Sequence, residues 1–147
     1  MKILVPIDGS RHSLEGLKVA SHYATTKAAE TTLLTVIPAV ADIDLELSAS
    51  ERDRVLESMK RRGEEVLTRA REALGRAGVA KVSTVLSTAD SPAQEIVAIA
   101  EKEKVDLIII GSKGRNATTR FILGSTAARV VRHSPCCVHV VKEPCWS

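Results

Sequence analysis

An α/β fold built on a parallel sheet is what this sequence predicts, and three observations predict it. Short runs rich in β-branched residues alternate with longer stretches of helical apolar spacing, the pattern of consecutive strand–helix–strand units. The run from Val105 to Ile110 reads as an apolar strand buried on both sides. Two of the helical stretches are preceded by serines with Glu or Gln three residues on, the spacing of an N-terminal capping box.

The first strand is Lys2 to Ile7, followed by the turn Asp8-Gly9-Ser10 and a helix over Arg11 to Lys27. Leu14, Leu17, Ala20 and Ala24 fall at helical spacing there, with Ser10 as N-cap. The second strand, Thr32 to Ile37, stops at Pro38. A loop leads to Ser48, whose spacing to Glu51 predicts a capping box for a long charged helix ending near Gly78. Val55, Met59, Val66, Ala70 and Leu74 keep approximate helical spacing, so the arginine-rich remainder reads as a solvated face rather than a basic binding surface. The third strand, Val82 to Leu86, gives way to a turn-rich Ser87 to Ser91. Ser91, Pro92 and Gln94 then occupy the N-cap, first-turn and capping-box positions of a helix whose core face carries Ile96, Val97 and Ala100. The fourth strand, Val105 to Ile110, is expected at the centre of the sheet. A short helix, about Ser125 to His133, and a last strand, Cys137 to Val141, complete five strands in one domain spanning residues 1–147.

Composition narrows the function. Apolar residues make up 44% and charged residues 27%, the profile of a soluble globular chain. No apolar run approaches the roughly 20 residues of a membrane-spanning helix, and the first residues are too short an apolar stretch for a signal sequence. The net charge of +3 comes from Lys and Arg interspersed with Asp and Glu, and with 2% aromatic residues there are few stacking platforms, so no nucleic-acid surface is expected. Three cysteines, Cys136, Cys137 and Cys145, form no disulfide framework and suit a reducing cytoplasm. Zinc at His133, Cys136, Cys137 and His139 is disfavoured, because neighbouring residues of a strand point to opposite faces.

In an open parallel sheet, ligands sit beyond the carboxyl ends of the strands where strand order reverses. After the fourth strand come Gly111-Ser112-Lys113-Gly114, nine residues, and Gly124-Ser125-Thr126 opening a helix. Glycines admit a ligand close to main-chain N–H groups. The helix start adds unpaired N–H groups and a favourable dipole, Ser125 and Thr126 add hydroxyls, and Lys113 adds charge, a set that suits a polyphosphate. The plainer alternative is that Gly111 and Gly114 make a turn and Ser125 caps a helix. Asp8 has two readings as well: a carboxylate for ribose, adenine or a magnesium ion, or an Asx-type turn with Gly9.

From Ile3-Leu4-Val5-Pro6-Ile7-Asp8-Gly9-Ser10 to Ser134-Pro135-Cys136-Cys137-Val138-His139-Val140-Val141 the chain resembles the universal stress protein family. The spacing Gly111, two residues, Gly114, nine residues, Gly124-Ser125 matches the pattern of that family's ATP-binding branch. The resemblance implies a Rossmann-like, five-stranded open parallel sheet of order 3-2-1-4-5 with helices on both faces, so that Asp8 and Gly111 face one crevice. It also implies that Pro6 and Asp8 lie near adenine and ribose, that Val36 gives a backbone contact to adenine, and that Gly111, Ser112, Lys113 and Gly114 with Gly124, Ser125 and Thr126 form the phosphate loop. The implied ligand is ATP, or ADP or AMP, with Mg2+ where phosphates need it. A homodimer through the last strand, a protein partner of unspecified identity and a regulatory stress-response role follow from the same resemblance. Two departures stand out: Lys113 takes a position often held by histidine, and Ser87-Thr88-Ala89-Asp90 replaces a glycine-containing turn.

Enzymes of the related adenylating folds are disfavoured, because Asp8-Gly9-Ser10 stands where they carry Ser-Gly-Gly, and no His-x-Gly-His pair or Gly-Lys-Ser/Thr loop occurs. None of His12, His22, His133 and His139 has an evident nucleophile partner in the sequence, so no catalytic residue is expected and hydrolysis of ATP would be weak at most. The rival of a different class is a dimeric interaction module that keeps the fold and binds little or no nucleotide.

Overall fold

Nine elements alternate strictly along the chain in a computed structural model that describes residues 1–39, 46–113 and 123–142. They are β1 (Lys2–Pro6), α1 (Arg11–Lys27), β2 (Glu30–Pro38), α2 (Ala49–Arg76), β3 (Val82–Ala89), α3 (Pro92–Lys102), β4 (Leu107–Gly111), α4 (Ser125–His133) and β5 (Cys137–Val141). All pairings are parallel and the strand order is β3-β2-β1-β4-β5. The chain builds outward from β1 to β3, then returns to the other side of β1 for β4 and β5.

This order produces two apolar layers. Odd-numbered strand residues Ile3, Val5, Leu33, Leu107 and Ile109 pack against Leu17, Val19 and Ala20 of α1 and Leu67, Ala70 and Leu74 of α2. Even-numbered residues Leu4, Leu34, Ile108 and Ile110 pack against Ala93, Ile96 and Ala100 of α3 and Ala127 and Val130 of α4. The period of two along a strand thus divides each inner strand between the layers, which is why these strands read as apolar rather than alternating. On the outer side, the Tyr23 hydroxyl lies 3.2 Å from His139 Nδ1, with the rings edge-on at 5.7 Å, which ties α1 to β5.

Local signals decide most boundaries. Ser10, Ser48 and Ser91 each accept a hydrogen bond from the N–H three residues on, at Ser13, Glu51 and Gln94. The Ser48 hydroxyl also donates to Glu51 Oε1 at 3.0 Å, so the return bond of this capping box comes from the hydroxyl. α1, α4 and β5 span the expected residues.

β1 ends at Pro6 rather than Ile7, β2 runs from Glu30 to Pro38 rather than from Thr32 to Ile37, the buried face of α3 carries Ala93 with Ile96 and Ala100 rather than Val97, and four further expectations need correction. β1, not β4, is the central strand; β4 is buried on both faces but lies between β1 and β5. β4 begins at Leu107, because Asp106 accepts a hydrogen bond at Oδ2 from the Lys2 N–H and its own N–H donates to the Lys2 carbonyl, which makes it the corner leading into the strand. β3 continues through Ser87 to Ala89, because the long β2 offers a ladder as far as Pro38, which pairs with Ala89. Leu14 is 48% exposed although it shares a helical spacing with Leu17, because the buried face of α1 centres on Gly16 and Ala20.

Two outcomes test this packing in a denaturant series. Ile108→Ala, at a fully buried position, should cost about 2–5 kcal/mol, whereas Leu14→Ala should change stability by less than about 0.5 kcal/mol. Gly75→Ala, where an added Cβ meets nothing within 4 Å, should stabilise α2 by roughly 0.5–1 kcal/mol.

Candidate functional site

Pro6 decides where the sheet opens. N–H and C=O groups of a parallel strand point alternately to its two neighbours. Ile7 N–H donates to Leu34 O of β2 at 2.8 Å, and Lys2 O accepts from Asp106 on the β4 side. The nitrogen of Pro6 therefore faces β4, and proline has no hydrogen to give. The β1–β2 register runs from Lys2↔Glu30 to Pro6↔Leu34, but the β1–β4 register ends at Leu4↔Ile108. The two strands between which the order reverses thus part from each other at their carboxyl ends, where such folds hold ligands.

Continuing the two registers puts Asp8 at the height of Val36 on β2 and of Ser112 after β4. Pro6, Asp8 and Val36 belong to the even-numbered set, on the side of α3 and α4, and Val36 packs against the core there. Asp8 sits in a tight turn. Its Oδ1 accepts from Ser10 N–H at 2.8 Å, its own N–H donates to Ser13 Oγ at 3.4 Å, and Gly9 takes a φ of 85° that favours glycine. The Asx-type turn is therefore formed, and it holds the start of α1 against the end of β1.

Gly111 belongs to the odd-numbered set and faces α1. A Cβ there would lie 2.8 Å from the His12 carbonyl carbon and 2.9 Å from its Cβ, distances no real side chain tolerates against backbone. Gly124 is constrained in the same way, with a Cβ falling 3.0 Å from Ser112 O and 3.2 Å from Lys113 Cα. Its N–H donates to Ser112 O at 2.7 Å, and Ser112 N–H donates to Val141 O at 2.9 Å. Gly111 is required by close packing whatever else it does, Gly124 is favoured by it, and the N–H of Gly124 is already used. Gly114 lies outside the described residues, as does Cys145.

The donors at this corner belong to α4. Gly124 is its N-cap and has no side chain to offer, so α4 has no side-chain cap, unlike α1, α2 and α3. Its first intrahelical bond among these runs from Ala128 N–H to Gly124 O. The N–H groups of Ser125, Thr126 and Ala127 precede that bond and form the positive end of the helix dipole, beside the hydroxyls of Ser125 and Thr126. The sequence did not reveal one neighbour of this corner. Ser112, 4% exposed, has its Oγ 3.5 Å from Nδ1 of His12, a hydroxyl–imidazole pair between residues a hundred positions apart.

A doubly wound α/β protein with its opening at the strand-order reversal is the class this geometry defines. The model of the universal stress protein family matches residues 1–142, and the chain belongs to that family. It is 37% identical over 143 residues to a universal stress protein from Methanocaldococcus jannaschii, spanning 97% of this chain and 82% of that protein. The solved universal stress protein UspA from Lactobacillus plantarum superposes with a TM-score of 0.85 at 26% identity, covering 96% of this chain and 97% of that one. More distant structures share the fold with TM-scores of 0.69–0.71 at 19–23% identity: a universal stress protein in complex with cAMP, one from Archaeoglobus fulgidus with dAMP and one from Arabidopsis thaliana with AMP bound.

Gly111→Ala should destabilise the protein by about 1–3 kcal/mol, because the new methyl must displace the backbone of the first turn of α1. Thermal or chemical denaturation without any ligand reads this. A stability unchanged from the parent would show that α1 can retreat from β4 at no cost.

Proposed function

We propose that this protein binds an adenine nucleotide, ATP or its ADP and AMP forms, at the open carboxyl edge between β1 and β4, and acts as a regulatory stress protein rather than as an enzyme. The observation that carries the reading is the spacing Gly111, two residues, Gly114, nine residues, Gly124-Ser125, which leads into a helix whose N-terminus no side chain caps. A phosphate chain placed there meets the N–H groups and hydroxyls of Ser125 and Thr126 and the charge of Lys113, with Mg2+ accompanying a polyphosphate. Pro6, Asp8 and Val36 share the side, and Asp8 and Val36 the height, at which the nucleoside would lie. The adenine nucleotides held by three distant members of the family support the same ligand class. The regulatory role includes a homodimer joined through the edge of β5, which an exposed strand edge favours, and a protein partner that responds to occupancy.

A second reading has its own observation. Gly111 and Gly124 are both explained by packing, so the motif can persist in an interaction module that holds little or no nucleotide. Native mass spectrometry of the purified protein separates the two: retained nucleotide adds a fixed mass per chain. Calorimetric titration with ATP and magnesium should saturate, and replacing both Ser125 and Thr126 by alanine should weaken binding by roughly tenfold or more, since hydrogen bonds to charged groups are the stronger kind. No bound mass and no saturable heat with ATP, ADP or AMP would leave the interaction module standing. ADP appearing during incubation with ATP would overturn the non-enzymatic part alone.

A further inference from the structure

We propose that Thr35 is a positioning residue for recognition of the base: its hydroxyl takes the carbonyl of Ile7, and so keeps the N–H of Val36 open to a ligand instead of letting it extend the β1–β2 ladder. The inference rests on the nucleotide reading above and deepens it.

Bonds at both ends of β2 set the direction of its main-chain groups. Glu30 N–H donates to Met1 O at 3.0 Å and Leu34 O accepts from Ile7 N–H at 2.8 Å, so even-numbered residues turn their polar groups toward β1. Thr31 N–H donates to Lys81 O at 2.9 Å, so odd-numbered residues turn toward β3. Val36 therefore faces β1. A regular parallel ladder continues with a bond from Val36 N–H to Ile7 O. That rung is not made: the β1–β2 register stops at Pro6↔Leu34, whereas the β2–β3 register runs on to Pro38↔Ala89. Among the described residues the Val36 N–H has no other acceptor.

A side chain takes the place of that rung. Thr35, 5% exposed, donates from Oγ1 to Ile7 O at 2.9 Å. Its methyl faces α2, where a Cβ on Gly63 would lie 3.4 Å from Thr35 Cγ2. With its carbonyl satisfied, β1 leaves the sheet at once: Asp8 N–H donates to Ser13 Oγ at 3.4 Å, and Asp8 Oδ1 accepts from Ser10 N–H. Ile7 is 3% exposed, and a buried carbonyl needs a donor. Without the hydroxyl, the donor in line for it is Val36 N–H.

The exchange of one bond for another moves an unpaired donor to the open edge. Pro38, the next residue that faces β1, has no N–H. Val36 thus supplies the one main-chain donor that β2 turns toward β1 beyond Leu34, next to its own carbonyl. Adenine carries the complementary pair, a ring nitrogen that accepts beside an amino group that donates.

Calorimetric titration with ATP, and separately with inorganic triphosphate, each with magnesium, tests this on the parent, Thr35→Val and Thr35→Ser. Thr35→Val keeps the shape and removes the hydroxyl, so ATP affinity should fall roughly tenfold, the scale of one hydrogen bond. Inorganic triphosphate has no base and should bind the parent and Thr35→Val alike. Thr35→Ser keeps the hydroxyl and should bind ATP within about twofold of the parent. In amide exchange followed by NMR, the Val36 N–H should exchange roughly tenfold or more slowly in ligand-free Thr35→Val than in the ligand-free parent, and ATP should slow it in the parent. Thr35→Ala gives the same comparison if the valine variant does not fold. Unchanged ATP affinity in Thr35→Val, with or without a loss of stability, would make Thr35 a structural hydroxyl alone and overturn the inference. Equal losses for ATP and triphosphate, or Val36 exchange indifferent to the hydroxyl, would also overturn it while leaving nucleotide binding intact. No ATP bound by the parent would overturn both.

Discussion

The seam between β1 and β4 is the constraint on which the rest depends. It lies where strand order reverses, so the helices that follow its two strands pack on opposite faces. Pro6 removes the one donor that would have carried the ladder further, a loss on the order of 1 kcal/mol for a single hydrogen bond. That loss is borne because Leu4, Val5, Ile108 and Ile109 directly below it are wholly buried. An opening at the edge and a dry core beneath it are two consequences of the same pair of strands.

Close contact around this seam couples elements distant in sequence. The first turn of α1 rests on Gly111, the turn at Asp8 sets the entry of α1, and Ser112 is bonded to both Val141 and Gly124. The ends of β4 and β5 and the start of α4 therefore form one corner held by backbone hydrogen bonds. Positions of donors at this corner depend on main-chain geometry more than on flexible side chains, which is the condition for a preorganised anion site.

Much of this was legible in the sequence because local rules decide it. Serine caps, the glycine spacing and the alternation of periods specify element type and order, and the family resemblance supplied the strand order that the structure shows. What was not legible is non-local. The burial of Gly111 against His12 and the exposure of Leu14 both depend on how α1 is rotated over the sheet, which no spacing within α1 fixes. The extension of β3 to Ala89 depends on the length of β2, since polar Ser87 and Thr88 form strand only because a neighbouring ladder is there to receive them. Ser112 and His12 meet only through the fold, so their pairing left no mark on the spacing of either. At Asp8 the turn is seen to form, its Oδ1 accepting from Ser10 N–H.

The treatment of helix starts shows where the fold gives up stability. α1, α2 and α3 each have a serine whose oxygen accepts from the third N–H, and such a cap typically contributes about 1 kcal/mol. α4 has none, although it is the shortest helix among those described and so the one least able to sustain itself by its own hydrogen bonding. It is held instead by burial of Ala127 and Val130 and by the bond from Gly124 to Ser112. A serine at position 124 would bring its Cβ to 3.0 Å from Ser112 O and 3.2 Å from Lys113 Cα, so the packing that fixes α4 also works against a side-chain cap there. The same contact thus leaves the N–H groups of Ser125, Thr126 and Ala127 without a side-chain cap from position 124 and keeps them in place.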